Sequence, residues 1–392
     1  MELKHINNNT NYIFNNNTVF DLLSHKQGIK KVKELLSNSD YLMEFVLNIE
    51  ENEARKLPLY ENLSDLALIY YYVHQQTHDD EHKNKKDNTK KEYIRDLLQF
   101  FTFTSFMVSQ ESEGANSVLK VLENRHIRQY QDWLKDGEFA YGKKGYALYS
   151  RVKKITIVKG FLNWLYTNEC IDYPLHAVFK KVTIRSEDKP DRSLSYHEVK
   201  QLLDYYKEHP INHALLLLLA TTGLRIMEVA NAKWSNLYYD PKILGGRYFL
   251  RVQVKGSGTK ERHVYIMPSL LESLKRMRKR RGLSIDINSK DDTYLFVTNK
   301  KKPYHFKYLS NYIIQIIQNT KLPWLLEKDG TVSPHDFRHY FISHLVIDLG
   351  ADITKVQKTV GHVSRTTTEG YLDKYLSNQN NAGLLLDERL YE

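Results

Sequence analysis

The sequence predicts a mainly α-helical protein with a small β-hairpin or sheet, an α+β chain in which a helical domain precedes a mixed one. Three observations carry this. Apolar residues recur at helical spacing through most of residues 56–182. A single stretch, Tyr248 to Ile266, alternates at period two about the glycine-bearing turn Gly256-Ser257-Gly258. Between these regions Thr183 to Ser193 (TIRSEDKPDRS) is polar, charged and contains Pro190, the composition of an interdomain linker. The length of 392 residues accommodates two or three domains, and the 41% hydrophobic content supports sizeable cores.

Residues 1–55 read as an N-terminal extension of unknown role. Asn7 to Asn17 is Asn-rich and aperiodic, and Ile29 to Ile49 has the pattern of one amphipathic helix. The helical domain, 56–182, opens with Leu63 to Val73, apolar on most sides and therefore a buried helix. His78 to Asn88 is a polar, charged loop. Thr89-Lys90-Lys91-Glu92 has the capping-box pattern, and Ile94, Leu97, Leu98 and Phe101 follow at i, i+3, i+4, i+7. Val118 to Leu134 and Ser150 to Tyr166 predict two more helices, separated by the basic turn Gly142-Lys143-Lys144-Gly145. After the linker, 183–193, the second domain spans 194–392. Its first helix has a capping box, Ser195 to Glu198, with Val199, Leu202, Leu203 and Tyr206 on the apolar face. Ile211 to Thr221 is a core helix ended by Gly223. The hairpin follows, and helices dominate after Leu270.

Lys and Arg outnumber Asp and Glu to give a formal net charge of +10, which favours a polyanionic partner, nucleic acid before an anionic membrane surface. No apolar run approaches the roughly 20 residues that span a bilayer; Ile211 to Ala220 is short and holds Asn212 and His213. Met1-Glu2-Leu3-Lys4 and the Asn-rich run lack a signal-peptide core. The lone Cys170 excludes an internal disulfide framework and a CxxC zinc pattern. The expectation is a cytoplasmic protein with no membrane partner, nucleoid-associated if bacterial.

Breaking a phosphodiester without a metal requires a nucleophile, donors for the non-bridging oxygens, a base for the nucleophile's proton and an acid for the leaving oxygen. Arginine suits the donors, because its planar fork binds two phosphate oxygens and stays charged. The chain gathers such residues. Tyr371 is the nucleophile candidate, nine positions (371 − 362) after Gly361-His362, with Tyr375 as its rival one turn on. His335 and Arg338 are three apart and share a face if helical; Ser333-Pro334 would start that helix, and His339 and His344 would point elsewhere. Arg225 follows an apolar helix and a Thr-Gly break, so Glu228 is its obvious partner, in a structural pair or in support of an anion site. Lys255 sits at the hairpin turn, where it is either solvated or a proton donor, with Lys260 and Arg262 competing for the role.

These residues carry a resemblance. TTGLRIMEVANAKWSNL, VKGSGTKERHVYI, HDFRHYFISHLVIDLGADITKVQKTVGH and TTTEGYLDKY occur in that order, and this resembles the tyrosine recombinase (phage integrase) family. The likeness covers most of 190–380; residues 56–182 more weakly resemble the family's helical core-binding domain, which implies a clamp of two domains around DNA. It implies that Arg225 and Arg338 are the two catalytic arginines and that Lys255 is the general acid toward the 5′ oxygen. His335 would assist proton transfer, His362 would be a further phosphate donor, and Tyr371 would form a 3′-phosphotyrosine. Ester exchange is nearly isoenergetic, so no cofactor and no metal are called for; no GxxxxGK[ST] loop occurs.

The implied partners are double-stranded DNA with specific recombination sites, a homo-tetramer on that DNA and, as an open point, accessory proteins. Basic residues expected to meet the DNA backbone are Lys90, Lys91, Lys143, Lys144, Arg151, Lys153, Lys154, Lys260 and Arg262, with Lys275 to Arg281 (KRMRKRR) a surface helix or a further contact. The expected role is integration, excision or resolution of a mobile element. Two alternatives stand beside it: a type IB topoisomerase-like nicking-closing enzyme, and a catalytically silent DNA-binding architectural protein.

Overall fold

The structure is a computed structural model that describes residues 23, 25–111, 117–139, 143–184, 193–253 and 261–361. It divides into two compact units, Met1–Arg185 and Ser186–Glu392.

The first unit is helical. Helices α1 (Lys26–Ser37) and α2 (Leu42–Ala54) replace the single helix expected over Ile29 to Ile49. The break falls where the Asn38 side-chain carbonyl accepts the Asp40 backbone N–H, the local bond by which Asn competes with helix. Val32, Leu36 and Phe45 join the core formed by the later helices, so the described part of residues 1–55 is packed as part of this unit. Tyr70 donates to the Asn38 carbonyl at 2.8 Å, and His74 Nε2 lies 2.9 Å from the Leu36 carbonyl. Helix α3 (Asp65–His74) is capped by Ser64 and is buried on most sides, as its apolar run requires.

Helix α4 (Asp87–Glu111) begins two residues before Thr89, which therefore lies inside the helix and is not its cap. Ile94, Leu97, Leu98 and Phe101 are all buried, as their spacing predicts. The expected helix from Val118 is shorter: Leu119–Val121 is a 3₁₀ turn, and α5 runs from Asn124 to Asp136. Strands β1 (Glu138–Phe139) and β2 (Lys143–Lys144) pair antiparallel, so the two lysines of the expected basic turn lie on a strand, and α6 (Leu148–Thr167) completes the core through Ile157, Val158, Phe161, Leu162 and Leu165. Each such side chain contributes about 1.5–3 kcal/mol by leaving water.

The second unit is mixed. Helix α7 (Tyr196–Tyr205) carries the capping box: Ser195 N–H donates to Glu198 Oε2 at 2.7 Å, and Glu198 N–H donates to Ser195 Oγ at 3.3 Å. Helix α8 (Pro210–Thr222) ends at Gly223 in the left-handed region, φ 58°. A Cβ there would also lie 2.5 Å from Phe341, so only glycine allows this close approach. The short helix α9 (Ile226–Asn231) follows at once.

Strands β4 (Arg247–Gln253) and β5 (Glu261–Ile266) form the expected antiparallel hairpin, with Leu250 opposite Val264 and Val252 opposite Arg262. A third strand, β3 (Leu237–Asp240), pairs with β4, so the sheet order is β3-β4-β5. Helices α10 (Pro268–Arg280), α11 (Phe306–Asn319), α12 (Pro334–Ser343) and α13 (Ile353–Val360) complete the unit, with a π-helical turn at His344–Asp348. No helix among the described residues is long and apolar enough to cross a membrane.

Candidate active site

Three of the six residues expected to be catalytic, Arg225, His335 and Arg338, fall within the described part, where Arg338 bonds the carbonyl two residues before Arg225 and shares a helix with His335. Arg225 caps α9. Its backbone N–H donates to Glu228 Oε2 at 2.8 Å and its Nη1 approaches Glu228 Oε1 at 3.4 Å, so the anticipated Arg225–Glu228 pair is present. The Arg225 side chain keeps 29% of its exposure while that of Glu228 keeps 6%, which leaves the guanidinium able to meet a ligand from solvent.

Arg338 lies on α12 and is 1% exposed. Its Nη1 donates to the Gly223 carbonyl at 2.7 Å and its Nη2 to the Val360 carbonyl at 2.6 Å. Gly223 stands two residues before Arg225, and Val360 stands two before His362. One buried guanidinium thus ties together the chain segments that lead to both. Gly361 caps α13 at φ 68°, the same left-handed solution used at Gly223.

His335 shares α12 with Arg338. Ser333 starts this helix, and its N–H and hydroxyl donate to Asp336 Oδ2 at 2.7 and 2.8 Å, so a carboxylate already complements the helix N-terminus. Loss of hydration lowers the His335 pKa from its usual value; Asp336 opposes this, and the Arg338 and Arg225 charges add to it. The imidazole is neutral at pH 7 and can accept a proton. His339 does not point elsewhere: its ring meets that of His335 edge-on at 4.7 Å, because four residues along a helix is nearly one turn. His344 does point elsewhere, bonding Asp348 at 2.7 Å and stacking on Tyr340 and Tyr196. Lys255, Lys260, His362, Tyr371 and Tyr375 lie outside the described residues.

Several expected DNA contacts are corrected. Lys154 is 6% exposed, and its ammonium donates to Asp96 Oδ1 and Gln99 Oε1, each at 2.7 Å. Its spacing from Ile157, Val158 and Phe161 (i+3, i+4, i+7) places it on the core face of α6, a signal legible in the sequence. Arg262 is 8% exposed; its Nη2 donates to Glu228 Oε2 at 2.7 Å and its Nη1 to the Thr359 carbonyl at 2.6 Å. It alternates with Val264 and Ile266 on the buried face of β5, again a readable period. Within KRMRKRR, Arg278 is fully buried, pairs with Asp291 at 2.6 Å and lies 4.2 Å from the Trp234 ring centre.

Of the remainder, Lys91, Lys144 and Lys153 are exposed, Lys90 and Arg151 are half-buried, and Lys143 lies on β2. Lys153 is already paired with Glu92 at 2.7 Å. Among the described residues no cluster of His, Cys, Asp and Glu could hold a metal ion.

The phage integrase family matches residues 192–377. The tyrosine recombinase XerC of Leptospira interrogans serogroup Icterohaemorrhagiae serovar copenhageni is 27% identical over 298 residues, 74% of this chain and 84% of that protein. The tyrosine recombinase XerA of Pyrococcus furiosus is 32% identical over 187 residues, 46% of this chain and 56% of that protein. Among solved structures, the XerH site-specific recombinase bound to palindromic difH substrate, in its post-cleavage complex, shares the fold with a TM-score of 0.55 at 18% identity, covering 90% of this chain and 94% of that one. Residues 192–377 thus carry a phage integrase family domain, and the chain is similar to tyrosine recombinases along most of its length.

Proposed function

We propose that this protein is a site-specific DNA recombinase that cleaves and rejoins strands through a 3′-phosphotyrosine. The observation that supports it most is the gathering of Arg225, Arg338 and His335 at the junction of α8, α9 and α12, with Arg338 bonded to the carbonyl two residues before Arg225. In this reading the Tyr371 phenol oxygen attacks the scissile phosphorus while neutral His335 takes its proton. The bond from phosphorus to the 5′ oxygen breaks, and Lys255 protonates that oxygen. Arg225, Arg338 and His362 hold the non-bridging oxygens as charge builds. Attack by the 5′-hydroxyl of a partner strand runs the same steps in reverse. The phosphoester is conserved, so the exchange needs no external energy source.

The helical unit acts as the core-binding domain and forms a clamp on DNA with the catalytic unit. Pairing of two sites requires several active centres, which calls for a homo-tetramer on specific double-stranded sites. The biological setting is integration, excision or resolution of a mobile element.

The test uses a duplex site selected in vitro for binding by this protein and nicked beside the scissile phosphate, so that the cleaved strand is lost and the adduct accumulates. The wild type forms an SDS-stable adduct; absence of any adduct on bound DNA contradicts the reading. Relaxation of supercoiled DNA that lacks the selected site would point instead to a nicking-closing enzyme. Lys255→Ala cleaves slowly, and it recovers on DNA with a 5′-bridging phosphorothiolate, whose leaving group needs no acid; failure to recover removes Lys255 from that role.

A further inference from the structure

We infer that Arg262 is a positioning residue: with Glu228 it locks the Arg225 segment, strand β5 and the C-terminal end of α13 as far as Gly361 into one fixed arrangement. The inference rests on the strand-cleavage reading above.

Arg262 is an inward-facing guanidinium at the tip-proximal end of β5, opposite Val252 on β4. One arm of its fork reaches Glu228 Oε2, the oxygen that also accepts the Arg225 backbone N–H. The other arm reaches the carbonyl of Thr359 in the last turn of α13. Gly361 lies directly on its stem: a Cβ there would stand 3.1 Å from Arg262 Cδ and 3.3 Å from Nε. Three elements that are distant in sequence therefore converge on a single side chain.

The chemistry suits a lock better than a DNA contact. A guanidinium with both arms spent on internal acceptors has little left to offer a phosphate, and pulling it out would leave Glu228 buried without this partner. Lysine could supply the charge but not the two-armed geometry. Arg262 is the second residue of β5, so its anchoring also fixes where that strand begins. A reacting group displaced by about 1 Å costs on the order of 10²-fold in rate.

The test measures equilibrium binding and covalent trapping separately, on the selected nicked duplex, for wild type, Arg262→Lys, Arg262→Met and Glu228→Gln. The expected result is duplex affinity and its salt dependence within about threefold of wild type, with the trapping rate at saturating DNA reduced on the order of 10²-fold in Arg262→Met. Arg262→Lys falls well below wild type although the charge is kept, and the double variant Glu228→Gln/Arg262→Met is no slower than the worse single one. A loss of affinity and of salt slope in Arg262→Lys or Arg262→Met, with normal trapping once DNA is saturating, would make Arg262 a phosphate contact and overturn the inference alone. Normal trapping by a folded Arg262→Lys also overturns it. Failure of the wild type to form any adduct removes the strand-cleavage reading, and this inference with it.

Discussion

Both units of the molecule bury a carboxylate between two cations, and the two clusters serve different ends. In the helical unit, Asp96 on α4 receives Lys154 from α6 at 2.7 Å and Arg95 from its own helix at 2.8 Å. In the second unit, Glu228 receives Arg262 from β5 at 2.7 Å and Arg225 at 3.4 Å. The Asp96 cluster joins two long helices and ends there, with Tyr146 beneath the Lys154 ammonium. The Glu228 cluster ends on loop and helix termini, at Arg225, Thr359 and Gly361, where catalytic residues are proposed. Related ion-pair chemistry gives a structural clamp in one place and, in the function proposed above, a scaffold for an anion site in the other. What differs is whether the tied backbone leads to reactive side chains.

Substitutions of the two site arginines press hardest on this contrast. Arg225→Gln and Arg338→Gln should each lower the trapping rate on the order of 10²–10³-fold on bound duplex. They should separate in thermal melts. Arg338→Gln strips the Gly223 and Val360 carbonyls of their buried donor, a cost of about 1–3 kcal/mol per unsatisfied group. Arg225 is partly exposed, and its backbone cap survives substitution, so its variant should melt close to wild type. Equal rate losses explained entirely by equal unfolding would erase the distinction.

Next in size is Lys154→Met, which should destabilise the helical unit by about 3 kcal/mol, the low end for a broken buried pair because Arg95 remains. Burial alone would raise the Asp96 pKa, but the hydrogen bonds from Arg95 and Lys154 override it and hold the carboxyl below its usual value. That stabilisation is present above the usual carboxylate range and is lost as pH falls through the depressed folded value. Lys154→Met should therefore unfold at higher pH on acid titration, while a saturating nicked substrate is trapped at the wild-type rate by protein still folded. Weaker duplex binding with unchanged stability would instead restore Lys154 as a DNA contact.

His335 gives a smaller, pH-dependent effect. Its pKa is lowered below 6.5, chiefly by loss of hydration, so the proton binds better to the unfolded chain and the neutral ring is present throughout neutral pH. Trapping should fall on acidification through a pKa below 6.5, and His335→Gln should flatten that limb, lowering the plateau by about 10²-fold. An unchanged acid limb in His335→Gln would assign it to another group. The smallest change is expected at Lys91: removing one exposed cation should weaken duplex binding about equally for all sequences and reduce the salt slope by about one, without changing trapping at saturation.

Much of this was readable before the fold was known. The Ser195 capping box, the Gly223 stop, the core face of α4 and the Tyr248–Ile266 hairpin follow from local chemistry alone, and each stands where its residues place it. Spacing alone pairs Arg225 with Glu228 and puts His335 and Arg338 on one helix face, whereas their catalytic roles come only from the family resemblance. What escaped was charge on an apolar face. Lys154, Arg262 and Arg278 were read as surface cations because their partners, Asp96, Glu228 and Asp291, lie 58, 34 and 13 residues away. Periodicity placed Lys154 and Arg262 inward, but only tertiary structure supplies the carboxylates that make such burial tolerable. The break between α1 and α2 and the four-residue strand β3 were missed for a related reason: one depends on a single Asn side chain, the other on its pairing with β4.

The most direct test of the central claim is to find which residue carries the DNA after trapping. Trypsin cuts after Arg365, Lys374 and Arg389, so Tyr371 and Tyr375 fall in different peptides, Thr366–Lys374 and Tyr375–Arg389. The account predicts that, after nuclease digestion of the adduct, mass spectrometry finds the nucleotide remnant on the Thr366–Lys374 peptide, attached to Tyr371. A remnant on the Tyr375–Arg389 peptide, or on a serine anywhere in the chain, would contradict it.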